Sequence, residues 1–406
     1  MNIVFVEPHF PRNQREFPRA LAEVGANVIG IGETPLEYLD HQLKDWMVHY
    51  EQVGSVTNLE EMTAAVRRVQ DMVWVDRLES TIEAHQLVAA QVRERLGIPG
   101  TSVRTTWLCR DKPSMKEALR QAGVPVARSI GADTADQVLS FARQVGYPLI
   151  LKPRDAAGAA GTFRVDNDTE LDAALASLGT YGSIAVEEFI EGHEGFYDTI
   201  SIDGEPVLDF ASHYYPGVLE AMRTRWISPQ FVATNRIDQS GGLYDELRAM
   251  GARVNQALGI GTSATHMEFF AGPKGLTFSE IGCRPPGVGC WDLYCAANDM
   301  DVYKAWAEAI VHGHISARPS RSHSAGIIAL RPDRDGVITG YSGLEDVENR
   351  YGRWIIDAHI PPQGSGTQPV EAGFMANAWI RMRHPDYDHL REMLDDVGRT
   401  VQVHAG

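Results

Sequence analysis

Short apolar runs alternate with amphipathic segments along the first hundred residues. Four of the runs predict strands, at residues 3–6, 27–31, 47–50 and 72–75. Segments with apolar residues at helical spacing predict helices at 13–24, 59–69 and 79–96. Because strands and helices take turns, this part predicts an open parallel sheet with helices on its faces.

The pattern changes after residue 100. Strands are predicted at 126–130, 148–152, 162–165 and 184–188, and helices at 110–121, 133–145 and 169–178, which together form a compact α+β unit. Hairpins follow at 195–212 and 264–281, helices at 243–258 and 301–311, and further strands near 326–330, 354–358 and 374–382. The predicted fold class is a multidomain α/β and α+β protein, with boundaries at 1–107, 108–187, 188–320 and 321–406.

Composition excludes several functions. The 406 residues carry 37 Lys+Arg and 54 Asp+Glu, a net charge of −17, so we expect neither a nucleic-acid nor an anionic-membrane partner. No apolar run reaches the roughly 18 residues of a membrane span, and the first residues predict a strand rather than a signal peptide. We therefore expect a cytoplasmic protein. Four cysteines without CxxC spacing predict free thiols.

A buried strand that ends in lysine is the first candidate for chemistry. Lys152 closes the strand at 148–152, and the loop after it contains Gly158, Gly161 and Thr162. Small residues let backbone N–H groups approach an anion, and the lysine adds a positive charge. Phosphate binding is one interpretation, and an ordinary turn with a solvent-directed lysine is the other.

An acidic segment, residues 186–194, is the second candidate. Glu187 and Glu194 flank Phe189 and Ile190. Backbone groups here could hydrogen-bond an adenine edge, the apolar pair could cover the ring, and a carboxylate could accept ribose hydroxyls. An acidic edge strand without a ligand is the alternative.

The hairpin at 264–281 is the third candidate. A turn near Pro273 predicts that Glu268 lies opposite Phe278, with Glu280 one diagonal step away on the same face. Two carboxylates on one face can hold hard cations such as Mg²⁺. Arg284 follows on a stiff loop, where it could bind an anion. Glutamates that face solvent are the alternative.

These motifs, in this order, resemble the ATP-grasp superfamily, specifically its carboxylate–amine or carboxylate–thiol ligases, over roughly residues 1–315. The resemblance points to the L-amino-acid ligase or biotin-carboxylase-like branch. It implies a Rossmann-like pre-domain, a small lid lobe and a larger metal-binding lobe with a C-terminal α+β extension. It further implies that Lys112 and Lys152 bind phosphate, while Gly158, Gly161 and Thr162 form the lid loop.

The resemblance also assigns the remaining positions. Glu187 resembles the hinge glutamate near the adenine amino group, Phe189 and Ile190 the hinge, and Glu194 the ribose-binding carboxylate. The positions that match the metal ligands and the anion-contacting arginine are Glu268, Glu280 and Arg284. This sequence departs from the family's Glu-x-Asn-x-Arg motif, because Gly282 stands at the Asn position.

Candidate substrate residues lie between the two hairpins and beyond. Aromatic residues could line a pocket for an amino acid or an aromatic acid, and an arginine could clamp a carboxylate; packing or surface roles are the alternative. His266 shares a face with Glu268. The substrate candidates are His213, Tyr215, Glu220, Arg223, Trp226 and Arg331.

The implied activity is an ATP- and Mg²⁺-dependent ligase, with Mn²⁺ as an alternative metal. A small-molecule carboxylate would be activated as an acyl phosphate and coupled to an amine, with Lys152 and Arg284 as the residues closest to the chemistry. The resemblance also allows a homodimer. A biotin-dependent carboxylase, for which the chain shows no Met-Lys-Met signature, and a non-catalytic ATP-binding regulatory module are the alternatives.

Overall fold

The N-terminal part is a four-stranded parallel sheet. The computed structural model describes residues 1–154, 161–178, 182–225, 227–370 and 375–406. The strand order is β3-β2-β1-β4, as expected from the alternation of strands and helices. The elements are β1 (Asn2–Val6), α1 (Glu16–Glu23), β2 (Asn27–Gly32), α2 (His41–Asp45), β3 (Met47–Gln52), α3 (Leu59–Met72), β4 (Arg77–Glu79) and α4 (Glu83–Leu96).

One predicted strand is wrong. The run at 72–75 predicted a strand, but helix α3 extends to Met72 and the strand begins at Arg77. The apolar run joins the helix to the sheet: Val75 is buried, whereas 73% of Trp74 is exposed. Residues 77–79 form the strand instead, because they pair with residues 3–5 of β1.

The small lobe contains a four-stranded antiparallel sheet, ordered β5-β8-β6-β7. Its helices α7 and α8 pack on the sheet and bury an apolar cluster that includes Phe141 and Leu171. The elements, in chain order, are α5 (Val103–Leu108), α6 (Lys112–Gln121), β5 (Ser129–Ala132), α7 (Ala135–Val145), β6 (Leu149–Pro153), β7 (Phe163–Val165), α8 (Asp168–Leu178) and β8 (Ile184–Glu188).

The large lobe is built on an eight-stranded antiparallel sheet, ordered β13-β12-β9-β10-β11-β14-β17-β16. A separate two-stranded sheet pairs β15 with β18. The strands are β9 (His193–Ile202), β10 (Glu205–Tyr215), β11 (Gln230–Ala233), β12 (Ser263–Gly272), β13 (Gly275–Gly282), β14 (Ser324–Leu330), β15 (Ile338–Ser342), β16 (Ile355–His359), β17 (Ala378–His384) and β18 (Gln402–Ala405). The helices are α9 (Val218–Ala221), α10 (Leu243–Leu258), α11 (Cys290–Asn298), α12 (Val302–His312), α13 (Leu344–Tyr351) and α14 (Tyr387–Thr400).

The C-terminal residues continue the sheet of the large lobe. Strand β14 pairs with β11 on one side and with β17 on the other. Main-chain hydrogen bonds therefore cross the predicted boundary at residues 320 and 321, although the boundaries themselves stay predictions. No helix in the described ranges is long and apolar enough to cross a membrane.

Aromatic packing joins the N-terminal sheet to the large lobe. The Phe17 ring of α1 lies 5.1 Å from both Tyr303 and Trp306 of α12, centroid to centroid. Phe5 of β1 meets Trp306 edge-on at 6.4 Å. Edge-to-face contacts of this kind add about 0.5–1.5 kcal/mol each to the burial of the rings. Strand β1 and helix α1 are thereby packed against α12 of the large lobe.

Candidate active site

A single large cavity collects most of the predicted residues. Its volume is about 1030 Å³, and residues of the small lobe and of the large lobe line it. Many of the lining residues come from α6, β6 and β8 of the small lobe and from β9, β10, α9, β12 and β13 of the large lobe. The predicted residues that line it are Lys112, Lys152, Thr162, Glu187, Phe189, Ile190, Tyr215, Glu194, Glu220, Arg223, Glu268, Glu280 and Arg284.

A buried carboxylate between two lysines forms the small-lobe wall. Glu187 of β8 lies beside β6, which carries Lys152, and its Oε2 atom is 3.1 Å from Lys152 Nζ and 2.6 Å from Lys116 Nζ. Burial alone raises a carboxyl pKa, but the two lysines outweigh it and lower the Glu187 pKa to about 2. Burial, aided by repulsion from Lys152, lowers the pKa of Lys116 to about 8.

Sequence reasoning missed Lys116. It is only 1% exposed, and it lies one helical turn after Lys112 on α6, so both lysines face the same side of the helix. That spacing, in a chain with six lysines, is the signal that identifies it.

The position of Lys112 follows from the start of α6. The Asp111 side chain caps the helix by accepting the Ser114 N–H, and Arg154 donates two hydrogen bonds to the same carboxylate, at 2.8 and 2.9 Å. The cap fixes the first turn. Lys112 Nζ then lies 3.5 Å from Glu280 Oε2.

The two hairpin glutamates are directly opposite each other, which corrects the predicted diagonal. Strand β12 pairs Glu268 with Glu280, and Phe269 with Phe278. Ser279 is an extra residue on β13, and this bulge shifts the register by one position. Both glutamates line the cavity. Burial opposes ionisation of Glu280, but Lys112 and Lys152 outweigh it and lower its pKa.

Glu268 and Glu280 suit a hard cation that also binds the phosphate oxygens of a bound molecule. No group of three or more His, Cys, Asp or Glu in the described ranges could hold a metal ion unaided. Mg²⁺ in phosphate-transfer sites typically takes one or two carboxylates and completes its shell with phosphate oxygens and water. Glu268 and Glu280 match that pattern.

A series of polar contacts joins Glu268 to the buried Asp198 through His266, which also lines the cavity. His266 Nδ1 is 2.7 Å from Asp198 Oδ1, and Nε2 is 3.7 Å from Glu268 Oε1. Burial opposes protonation, but the two carboxylates outweigh it and raise the His266 pKa to about 9. Tyr294 donates a hydrogen bond to the other oxygen of Asp198. His266 thus contacts both a buried carboxylate and a cavity carboxylate.

The predicted hinge connects the lobes. Phe189 and Ile190 follow β8 and precede β9, so the chain passes between the two sheets at this point. The Arg164 guanidinium lies 4.4 Å from the centre of the Phe189 ring. Nearby, Glu194 accepts the Val218 N–H at 2.7 Å, and burial together with Glu268 raises the Glu194 pKa to about 8.

The substrate candidates divide into two groups. Tyr215, Glu220 and Arg223 line the cavity, whereas His213 and Arg331 do not. Trp226, like Gly158 of the lid loop, lies outside the described residues.

The two candidates that do not line the cavity have structural contacts. His213 sits between His193, at 3.1 Å, and the Tyr244 hydroxyl, at 2.9 Å. Its burial lowers its pKa to about 3, so it packs as a neutral ring. Arg331 donates to the carbonyl oxygens of Ala221 and Thr224 and so holds the segment that begins with α9.

Comparison with known proteins supports the predicted family. The family model of the ATP-grasp domain matches residues 117–299. The L-arginine-specific L-amino acid ligase of Bacillus subtilis is 25% identical over 317 residues, which cover 76% of this chain and 75% of that protein. The alanine–anticapsin ligase of Bacillus subtilis (strain 168) is 26% identical over 234 residues, 52% of this chain and 48% of that protein. The chain therefore spans about half the length of this second relative.

A solved structure confirms the predicted fold class. The crystal structure of an L-amino acid ligase from Bacillus licheniformis matches with a TM-score of 0.75 at 19% identity, and the match covers 100% of this chain and 98% of that one. At this identity the likeness concerns the fold.

Proposed function

We propose a reaction for this chain, which belongs to the ATP-grasp superfamily and is an ATP-dependent ligase of the type that forms C–N bonds. The chain couples the carboxylate of one small molecule to the amine of another, and amino acids are the substrate class. The single observation that carries the proposal is the convergence of Lys112, Lys152, Glu268, Glu280 and Arg284 on one cavity.

The lysines would bind the phosphates of ATP. Lys152 is fixed by Glu187, and Lys112 by the capped start of α6 and by Glu280. Cations that are already oriented neutralise phosphate charge without further reorganisation. Glu187 Oε1 is buried and has no hydrogen-bond partner among the described residues, so it could accept a hydrogen bond from the adenine amino group. Phe189 and Ile190 would cover the ring.

Glu268 and Glu280 would hold Mg²⁺. When bound, the ion would neutralise charge on the transferred phosphate. Gly282, at the family's Asn position, offers no side-chain ligand. The two carboxylates would therefore act with phosphate oxygens and water.

The reaction would proceed in two displacements. An oxygen of the substrate carboxylate attacks the γ-phosphorus, the bond to the β-phosphate oxygen breaks, and ADP leaves. The neutral amine then attacks the acyl carbon, inorganic phosphate leaves, and the nitrogen loses a proton to give the amide. Arg284 would bind the transferred phosphate or the substrate carboxylate, and closure of the small lobe would exclude water from the acyl phosphate.

The relatives and the cavity wall support amino acids as substrates. The two relatives are described as ligases of amino acids, one specific for L-arginine and one that joins alanine to anticapsin. In this chain the cavity wall includes Glu220, Arg223 and Tyr215. A carboxylate, a guanidinium and an aromatic ring together suit zwitterionic ligands.

Phosphate release tests the proposal. The chain is incubated with ATP, Mg²⁺ and pooled amino acids and small carboxylic acids, and products are identified by mass spectrometry. The expected result is phosphate release with a new mass equal to acid plus amine minus water. Release only with bicarbonate and biotin would favour a carboxylase. ATP binding without turnover in any pool would favour a regulatory module.

A further inference from the structure

We propose that Glu83, from the N-terminal part of the chain, is a positioning residue for Arg284 and occupies the space that a side chain at position 282 would fill. The positioning of Arg284 matters only if the proposed ligase activity is correct, whereas the competition for space at position 282 follows from contacts alone. The two claims together account for glycine at the position where the family motif has asparagine.

The Glu83–Arg284 contact joins two distant parts of the chain. Glu83 is the first residue of α4, and its Oε2 atom accepts a hydrogen bond from Arg284 Nε at 2.8 Å. Both side chains are partly buried, with 18% of Arg284 and 25% of Glu83 exposed. A charge-assisted hydrogen bond between partly buried groups restricts the guanidinium strongly. Arg284 Nη1 also donates to the Pro285 carbonyl at 2.7 Å, so two sides of the guanidinium are held.

Glu83 is itself fixed from the opposite side. Arg110 Nη1 donates to the Glu83 carbonyl at 3.0 Å, and Arg110 Nε lies 3.9 Å from Oε1. The carboxylate therefore lies between two arginines. Its place in the first turn of a helix adds the favourable interaction of a negative charge with the helix N-terminus.

Gly282 leaves the space that this carboxylate needs. A Cβ atom at position 282 would lie 3.3 Å from Glu83 Oε2 and 3.4 Å from Arg284 Cγ. An asparagine there would place its amide beyond that Cβ, in the region of the ion pair. The Glu83 carboxylate and an asparagine side chain thus compete for one space. Glycine at 282 and glutamate at 83 form a matched pair.

This arrangement makes the N-terminal part of the chain contribute to the site. Arg284 lines the cavity, and Glu83 determines where its guanidinium lies. A misplacement of about 1 Å at a group that acts on the reacting atoms can cost about 100-fold in rate. Loss of Glu83 should therefore lower kcat and leave the KM for ATP unchanged, because the lysines and the hinge bind the nucleotide.

A double-mutant cycle on stability tests the geometry. The variants are Gly282→Asn, Glu83→Ala and the double variant, and thermal unfolding is followed by calorimetry. Overpacking should lower the Tm of Gly282→Asn by about 1–4 °C, and the same substitution should lower the Tm little in the Glu83→Ala background. An equal drop of Tm in both backgrounds would overturn the competition for space.

Kinetics of the same variants test the positioning role. Glu83→Ala should lower kcat between about tenfold and 100-fold, and Glu83→Gln should retain more of the wild-type kcat. Glu79→Ala is the matched control, since Glu79 pairs with Arg77 at 2.9 Å with similarly low exposure in β4. Equal kcat values for Glu83→Ala and Glu79→Ala would overturn the positioning role. A wild-type chain without turnover would refute the proposed function instead, and the stability cycle would still decide the geometry.

Discussion

Replacement of Glu187 by glutamine is predicted to destabilise the protein strongly. The carboxylate is the anion between Lys116 and Lys152, at 2.6 and 3.1 Å, and glutamine keeps the shape but removes the charge. Each tenfold preference for the charged form corresponds to about 1.4 kcal/mol, so a pKa lowered from 4.5 to about 2 corresponds to about 3 kcal/mol. Removal of one partner of a buried ion pair typically costs about 3–5 kcal/mol.

The loss should depend on pH in a defined direction. In the wild type, the contribution of Glu187 is present above its unfolded pKa near 4.5 and is lost as the pH falls towards 2. In Glu187→Gln, Lys116 loses its partner, so its pKa should fall below the present value of about 8. The unfolded lysine keeps its proton up to about pH 10. The unfolded state therefore binds more protons, and the deficit in stability should shrink as the pH rises from 7 to 9.

Calorimetry at pH 7 and pH 9 is the assay. For 406 residues the entropy of unfolding is about 0.85 kcal/mol/K, so 3 kcal/mol lowers the Tm by about 4 °C. Glu188→Gln is the matched control. The Glu188 carboxylate is next to Glu187 in the sequence and pairs with the exposed Arg128 and Lys274, each at 3.4 Å, so this substitution should lower the free energy of unfolding by less than about 1 kcal/mol. Equal Tm values for the two variants at pH 7 would show that the buried charge of Glu187 does not stabilise the fold.

Three further substitutions separate metal binding, nucleotide binding and structure. Glu280→Gln should abolish Mg²⁺-dependent turnover and leave the fold intact. It should also weaken Mn²⁺ binding at least about tenfold, as measured by electron paramagnetic resonance. Unchanged Mn²⁺ affinity with wild-type activity would contradict the metal assignment. Phe189→Ala should raise the KM for ATP about tenfold, because stacking of a base on an aromatic ring contributes about 1–3 kcal/mol; an unchanged KM would place the adenine elsewhere. Arg331→Met should lower the Tm through loss of its bonds to two carbonyls, with the KM for ATP unchanged; reduced kcat/KM at an unchanged Tm would restore it as a substrate residue.

Local sequence patterns were sufficient to predict most of the strands and helices. The apolar run ending in Lys152 and the alternation around Glu268 and Glu280 describe local conformation, and β6, β12 and β13 contain them. The order of motifs then indicated the superfamily. The pairing of β14 with β11 could not be predicted, because alternation describes one strand and not its neighbour.

The differences between prediction and structure have physical causes that a sequence does not display. The bulge at Ser279 changed the partner of Glu268, and a bulge leaves no mark in a short alternating pattern. His213 was an aromatic, polar candidate, yet the fold buries it between His193 and Tyr244. Glu83 was not identified, since its partner Arg284 is 201 positions away. Long-range contacts of this kind exist only once the N-terminal sheet packs against the large lobe.

Transfer of an oxygen label shows whether the carboxylate is activated as an acyl phosphate. The chain is incubated with ATP, Mg²⁺ and an amino-acid pool labelled with ¹⁸O in the carboxyl groups, without bicarbonate or biotin, and the released phosphate is analysed by mass spectrometry. Because the attacking carboxylate oxygen stays with the transferred phosphorus, each phosphate that accompanies a new amide should contain one ¹⁸O atom. Amide formation with unlabelled phosphate would exclude an acyl phosphate intermediate.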